Sequence, residues 1–267
     1  MPMNYKLAAS NIAWDGMDDL KVYQKLRESG FLGIEIAPTR LIVDSPYDPK
    51  NSQLASQLAS SIVNSSDLLI CSMQSIWYGR QECLFGNPDE REFLLSYTKS
   101  AIDFSSKIGC PHIVFGSPRN RILPAGGDVK IAETFFFECA SYAFSKGVVI
   151  GIEANPKSYG TNFLNSTNEV IEFIKLIDSP AIGLNLDLGA IIENREDITF
   201  LPEYLDYASH IHISEPMLLP VISSPFHQLL SDALNHSRYK GWISLEMKKS
   251  PINELFSSIE VVANAFL

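Results

Sequence analysis

Eight short apolar runs alternate with eight longer amphipathic stretches along this 267-residue chain. No other feature limits its fold as sharply. The runs are Lys6–Ser10, Gly33–Ile36, Leu68–Ser75, Ile113–Phe115, Val148–Glu153, Ile182–Asp187, His210–Ser214 and Trp242–Glu246. Most are rich in Ile, Val and Leu, as strands buried on both faces should be. Helix patterns lie between them, over Met17–Ser29, Asn51–Val63, Asp89–Ile108, Asp128–Lys146, Ser166–Ile177, Phe200–Tyr207, Pro225–Ser237 and Ile252–Ala265. Gly30 and Gly147 act as helix stops. Pro88-Asp89-Glu90 and Ser166-Thr167-Asn168-Glu169 have the chemistry of helix starts. Strict strand–helix alternation implies a parallel sheet with right-handed crossovers. Eight such units in a chain of this length predict a closed (β/α)8 TIM barrel of the α/β class. A doubly wound open sheet is the alternative. No linker, low-complexity tract or fixed-period repeat interrupts the rhythm, so residues 1–267 read as one domain.

The formal net charge is −10, and the longest basic run is Lys248-Lys249. Nucleic-acid surfaces need basic patches to neutralise phosphates, so no nucleic-acid partner is expected. Small anionic substrates stay open, because a bound cation supplies local positive charge. Cys71, Cys83, Cys110 and Cys139 form no CxxC pair, which argues against a zinc ribbon or a redox motif. They read as reduced thiols of a cytoplasmic protein. The start of the chain lacks the basic-then-apolar layout of a secretory signal. No window approaches the roughly 20 apolar residues of a membrane span, so no membrane partner is expected.

In a barrel of this kind the chemistry sits at the carboxyl ends of the strands. Strand five reads VVIGIE and ends on Glu153. Strand six reads IGLNLD and ends on Asp187. Strand seven reads HIHIS, with His212 near its end, and strand eight reads WISLE and ends on Glu246. A lone acid at such a position is commonly a loop-facing charge or a helix cap. Four ligand-type residues at equivalent places on consecutive strands are harder to explain that way. Three crowded carboxylates repel one another unless a cation neutralises them. Glu153, Asp187, His212 and Glu246 are therefore the expected ligands of one divalent metal ion. Oxygen donors with one imidazole suit Mn²⁺, Mg²⁺ or Co²⁺, with Zn²⁺ also open. His210 shares a face with His212 but lies farther from the strand end, so it is expected to pack or to support its neighbour. His112 and His236 read as structural or exposed. His227, early in the helix after strand seven, is a weaker candidate for the mouth.

These segments resemble the xylose-isomerase-like barrel superfamily of sugar isomerases, ketose 3-epimerases, inosose dehydratases and abasic-site nucleases. The resemblance is carried by GIEANP around Glu153, LNLDLG around Asp187, HIHISEP around His212 and SLEMK around Glu246. GIEIAP with Glu35, SIWYG with Trp77 and IVFGSPRNR add to it, so it spans essentially the whole chain. It is nearest to the sugar phosphate isomerase/epimerase proteins. Carried over from the ketose 3-epimerases, it implies that Glu153 and Glu246 are ligands and also the acid/base pair, with Asp187 and His212 as ligands only. It implies a carbohydrate substrate and chemistry through a metal-bound enediolate, and it leaves a homo-oligomer open.

Two departures stand out. The epimerases carry a histidine three residues after the strand-six Asp, where this chain has Ala190. They place an arginine after the strand-seven His, where this chain has SerGluProMetLeuLeuPro. Replacement substrate contacts are expected among Arg119, Glu215 and Lys248. Trp77 is expected either to wall a sugar ring or to pack in the core. The same ligands would serve a dehydratase, which is the alternative activity. An abasic-site nuclease is a weaker reading, because the ends of strands two and three lack its histidines. A non-catalytic sugar-binding barrel is the remaining one.

Overall fold

The computed structural model describes residues 5–267; Met1–Asn4, part of the stretch read for a secretory signal, lie outside the described residues. The eight strands close in sequence order into one parallel barrel. They are β1 (Lys6–Ser10), β2 (Gly33–Ile36), β3 (Leu69–Met73), β4 (His112–Phe115), β5 (Val149–Glu153), β6 (Ile182–Asp187), β7 (Ala208–Ile213) and β8 (Trp242–Leu245). β1 pairs with both β2 and β8, which completes the ring and excludes the open sheet.

The helices are α1 (Asp19–Glu28), α2 (Pro38–Leu41), α3 (Ser52–Ser66), α4 (Pro88–Lys107), α5 (Lys130–Lys146), α6 (Thr167–Ile177), α7 (Leu188–Asn194), α8 (Leu201–Leu205), α9 (Pro225–Asn235) and α10 (Ile252–Phe266). Local chemistry sets several of their ends. Asn87 and Glu90 close a reciprocal capping box on α4, and Ser166 accepts the Glu169 N–H at the start of α6. Gly147 ends α5 at φ +68°, where a side chain would be strained.

Several boundaries differ from the expectation. β3 stops at Met73, because Ser75 turns to φ +56°. The stretch after β6 starts a helix at once, and the expected Phe200–Tyr207 helix shrinks to α8. Glu246 falls just beyond β8, with its N–H donated to the Ile213 carbonyl at 2.9 Å.

The apolar core lies between the sheet and the helices. Ile34, Ile36, Ile113, Phe115, Ile150, Ile152, Leu184, Leu186, Ile211, Ile213, Ile243 and Leu245 belong to it. The alternate residues of the same strands fill the barrel interior, and many are polar: Ser10, Glu35, Ser72, His112, Asn185, His210, His212 and Ser244 are all buried. Small residues make room for them. A Cβ on Gly151 would lie 2.6 Å from His112 Nε2. The buried His112 is bonded to Ser72 at 2.9 Å and to Ser209 at 3.1 Å, which makes it structural. Among the described residues no helix is long and apolar enough to cross a membrane.

Candidate metal and substrate site

The parallel ladder delivers the four expected ligands to one place. Asp187 pairs with His212 across β6 and β7, and Glu153 pairs with Asn185 across β5 and β6. A register shift at Leu184/Asn185 sets the β6–β7 alignment, and such irregularities re-aim side chains near functional sites. One donor atom from each of Glu153, Asp187, His212 and Glu246 lies within 4.8 Å of all the others. His212 Nδ1 is 3.1 Å from Glu153 Oε1, 3.1 Å from Glu246 Oε2 and 3.9 Å from Asp187 Oδ2.

The crowding appears in the proton affinities. Burial, then the charges of Glu153 and Glu246, push the Asp187 carboxyl up to about 8. Burial also raises Glu246, partly offset by His212. Burial alone would pull His212 down, but Glu246 and Glu35 drive it well above the usual histidine range. Protons thus stand in for missing positive charge. Three carboxylate oxygens and one imidazole nitrogen are the donor set of a hard-to-borderline divalent cation, and the residues present fit one.

Asp187 is a helix cap as well as a member of this cluster. Its Oδ1 accepts the Ala190 N–H at the start of α7, and its Oδ2 accepts the Ser214 hydroxyl at 2.7 Å. The two sequence readings of a strand-end acid therefore coexist in one side chain. Ala190, at the position where the resemblance leads one to look for a histidine, is buried and offers the site only its backbone.

The structure gives supporting roles to residues for which the sequence assigned none, Glu35 of the GIEIAP segment among them. Glu35, wholly buried on β2, faces the far side of the His212 ring, with Oε1 3.1 Å from Nε2. The same carboxylate is 3.2 Å from His210 Nε2 and accepts the Gln74 amide at 2.9 Å. Such a partner holds the ring orientation and keeps Nδ1 turned toward the three acids. Asn185 donates to Glu153 Oε1 at 2.7 Å, and Asn155 donates to Glu153 Oε2 at 3.0 Å. The buried guanidinium of Arg121 holds the Glu153 backbone carbonyl at 2.9 Å, and burial pulls its pKa down to about 10. One signal for Glu35 is visible in retrospect: a charged residue inside the apolar run GIEI.

A cleft of about 200 Å³ opens over the cluster, with Glu153, Asp187 and Glu246 in its floor and Gln74, Ser75, Asn155, Tyr159 and Leu218 around it. Gly116 belongs to its wall, and a Cβ there would lie 2.8 Å from Glu153 Oε2. The loop after β7 covers one side. Met217 and Leu218 have φ +59° and +54°, and the loop is tied by the Met217 N–H to Tyr159 Oη at 2.9 Å and the Lys248 N–H to the Leu218 carbonyl at 2.9 Å.

The expected substrate contacts are placed unequally. Arg119 is exposed on the β4 loop, in a hollow next to the cleft. Glu215 and Lys248 are not among the residues lining the cleft. Trp77 is 1% exposed, packs edge-on against Phe115 and Phe135, and donates its indole N–H to Thr98 at 2.9 Å. Its only polar atom is satisfied inside the core, and the residue also belongs to the lining of the hollow beside the cleft. His210 is packed beneath His212 as expected, bonded to Ser244 at 2.9 Å. His227 lies against Phe266 in the last turn of α10, away from the cluster.

The model of the xylose isomerase-like TIM barrel family matches residues 23–264. The chain belongs to this family. No curated protein sequence matches it. Among solved structures, it is similar to 3-keto-D-glucoside 4-epimerase YcjR from E. coli, with TM-score 0.75, 17% identity and 98% of each chain covered. D-psicose 3-epimerase from Clostridium cellulolyticum H10, solved with D-tagatose, gives TM-score 0.75 and 16% identity over 97% of this chain and 96% of that one. An L-ribulose 3-epimerase gives TM-score 0.72 and 15% identity over 98% and 92%. At these identities the likeness establishes the barrel.

Proposed function

We propose that this family member is a divalent-metal-dependent isomerase or epimerase of a sugar or sugar derivative. The observation that carries the reading is the pair Glu153 and Glu246. These carboxylates reach one cleft from β5 and β8, and Asp187 and His212 lie between them in strand order. The solved neighbours named as sugar epimerases support the same class.

Glu153, Asp187, His212 and Glu246 would hold the ion. A divalent cation held there would supply Lewis acidity toward a substrate carbonyl and the charge that develops on it. The remaining work is done by the chain. One of the two glutamates takes the proton from carbon and the other returns one to the opposite face, which inverts that carbon. If a single glutamate carries the proton between neighbouring carbons, aldose and ketose interconvert instead. Burial raises the Glu246 carboxyl above its ordinary value, the direction that suits a group that must both accept and return a proton. Asp187 is held by the α7 N–H and Ser214, and His212 by Glu35, so neither is placed to move with the substrate. Tyr159 and Leu218 narrow the mouth and limit water at the reacting carbon.

The test is metal analysis of the purified protein, followed by NMR of a ketose panel in D₂O with added Mn²⁺. Solvent deuterium in an isomeric sugar is expected. Glu153→Gln and Glu246→Gln should each lower its incorporation by ~10³-fold, the scale of a lost general base. Normal incorporation in either variant would refute the two-carboxylate mechanism. Loss of water from the substrate would instead identify a dehydratase. Protein that takes up no metal and exchanges no sugar proton would leave only a binding barrel.

A further inference from the structure

A second hollow, of about 630 Å³, adjoins the cleft, and the two share Ser75, Ser117 and Pro118. Its walls are the loops after β3 and β4. Tyr78, Arg80, Gln81 and Arg119 face it, and no Asp or Glu is among its lining residues. This reverses the local charge in a molecule of net charge −10 whose neighbouring cleft carries three carboxylates. We propose that the substrate bears an anionic group, a phosphate or a carboxylate, remote from its reacting carbons, and that Arg80 and Arg119 receive it. The proposal rests on the sugar isomerase reading above.

The hollow is built before any ligand arrives. Asn120 donates to the carbonyls of Arg80 at 3.1 Å and Glu82 at 2.9 Å, and its own carbonyl accepts the Leu84 N–H at 2.7 Å. These bonds lock the β3 loop to the β4 loop. The Arg80 guanidinium lies 5.6 Å from the Phe93 ring centre and 5.3 Å from that of Tyr97, which fixes its plane. Its Nε is buried and has no hydrogen-bond partner, a donor left for something that enters. Among the described residues neither Arg80 nor Arg119 is paired with an acid. Glu82, the nearest acid in sequence, accepts the Gln81 N–H at 3.1 Å. Ser75 and Ser117, at φ +56° and +47°, stand at the junction of the two spaces, where non-glycine residues rarely adopt such backbone conformations. Planar guanidinium groups match phosphate and carboxylate oxygens in pairs, which a neutral sugar hydroxyl does not exploit. The carbonyl end of the substrate would lie over Glu153 and Glu246, and the anion across the Ser75–Ser117 junction.

Two calorimetric arms test this with the full-length protein. In the first, metal-free protein is titrated with inorganic phosphate and with acetate. Arg80→Gln and Arg119→Gln are each expected to weaken phosphate binding at least tenfold. In the second, Mn²⁺-loaded protein is titrated with fructose, fructose 6-phosphate and fructuronate. At least one charged sugar is expected to bind tenfold or more tighter than fructose, and the double substitution should bring that ratio toward one. Which charged sugar wins separates phosphate from carboxylate. A ratio near one in the wild type, a ratio unmoved by the substitutions, or a neutral disaccharide that outbinds both charged sugars overturns the proposal. The two readings fail separately. A preserved charge preference without deuterium exchange in any sugar removes the isomerase and keeps the anion site. Exchange into fructose with no charge preference does the reverse.

Discussion

Glu35 and Asp187 are both buried carboxylates beside the same imidazole, yet their proton affinities move in opposite directions. Burial pushes Glu35 up, but His212 and His210 more than reverse it and hold the group well below the usual carboxylate range. Asp187 rises to about 8. The difference lies in what else is near. Glu35 meets two imidazoles and the Gln74 amide, with no second acid in the group. Asp187 meets a hydroxyl and one backbone N–H, and it shares His212 with Glu153 and Glu246. The sealed centre is balanced by the chain itself. The cleft-side centre has an excess of negative charge that no cationic side chain but His212 offsets, the condition that the metal site proposed above would relieve.

The sharpest way to break the contrast is to neutralise each acid without changing its shape. Glu35→Gln should destabilise the protein by roughly 2–3 kcal/mol, because charge-assisted hydrogen bonds to two imidazoles are lost. Asp187→Asn should cost less than about 1 kcal/mol in metal-free protein at neutral pH, since the native group already holds a proton there and Asn still caps a helix. Denaturant unfolding in a chelator measures both. Mn²⁺ should then protect the wild type strongly, Glu35→Gln with affinity weakened roughly 10–100-fold, and Asp187→Asn barely at all. Equal destabilisation by the two substitutions would show that both centres are structural.

A smaller effect follows from pH. The Asp187 carboxyl is raised from 3.8 to about 8 on folding, so the folded state binds the proton that the unfolded state has released between those values. That contribution is fully present below about 4 and is lost as pH rises toward 8. Melting temperatures in chelator should carry this falling component. Added Mn²⁺ should raise the melting temperature more at pH 8 than at pH 5, because at the lower pH the ion must displace protons. A metal shift that is the same at both values would count against Asp187 as a ligand.

The smallest expected effect concerns the cover of the open centre. Tyr159→Phe removes the acceptor that ties Met217 to the mouth. It should raise KM a few-fold and leave kcat and metal affinity nearly unchanged, on the scale of one exposed neutral hydrogen bond. Steady-state kinetics distinguishes this from a collapse of the site, which would lower kcat.

Much of the architecture was legible because it is written in local pattern. Each of the eight strands was placed within two residues at its amino-terminal end, and the Gly30 and Gly147 stops hold at φ +82° and +68°. The strand-end acids and His212 were legible because parallel strands in register bring equivalent positions to one rim. The helix that Asp187 caps was missed, since a seven-residue element is too short for a clear period. The roles of Glu35, named only as part of the resemblance, and of Asn185 were missed for another reason. Each residue lies within an otherwise apolar strand, and only closure of the ring shows what stands opposite. Trp77 shows the same limit: an aromatic after a strand suits a sugar wall or a core, and only the folded chain shows its indole bonded to Thr98 on α4.

The sequence alone therefore determined the order of elements, the closed barrel and the identities of the four clustered donors, because periodicity and strand-end position are one-dimensional properties. Tertiary structure decided which nitrogen of His212 faces the acids, that Glu35 stands behind it, and that two arginines border a hollow beside the cleft. Those facts depend on contacts between strands and loops far apart in sequence, and on how burial and neighbouring charge divide protons among them.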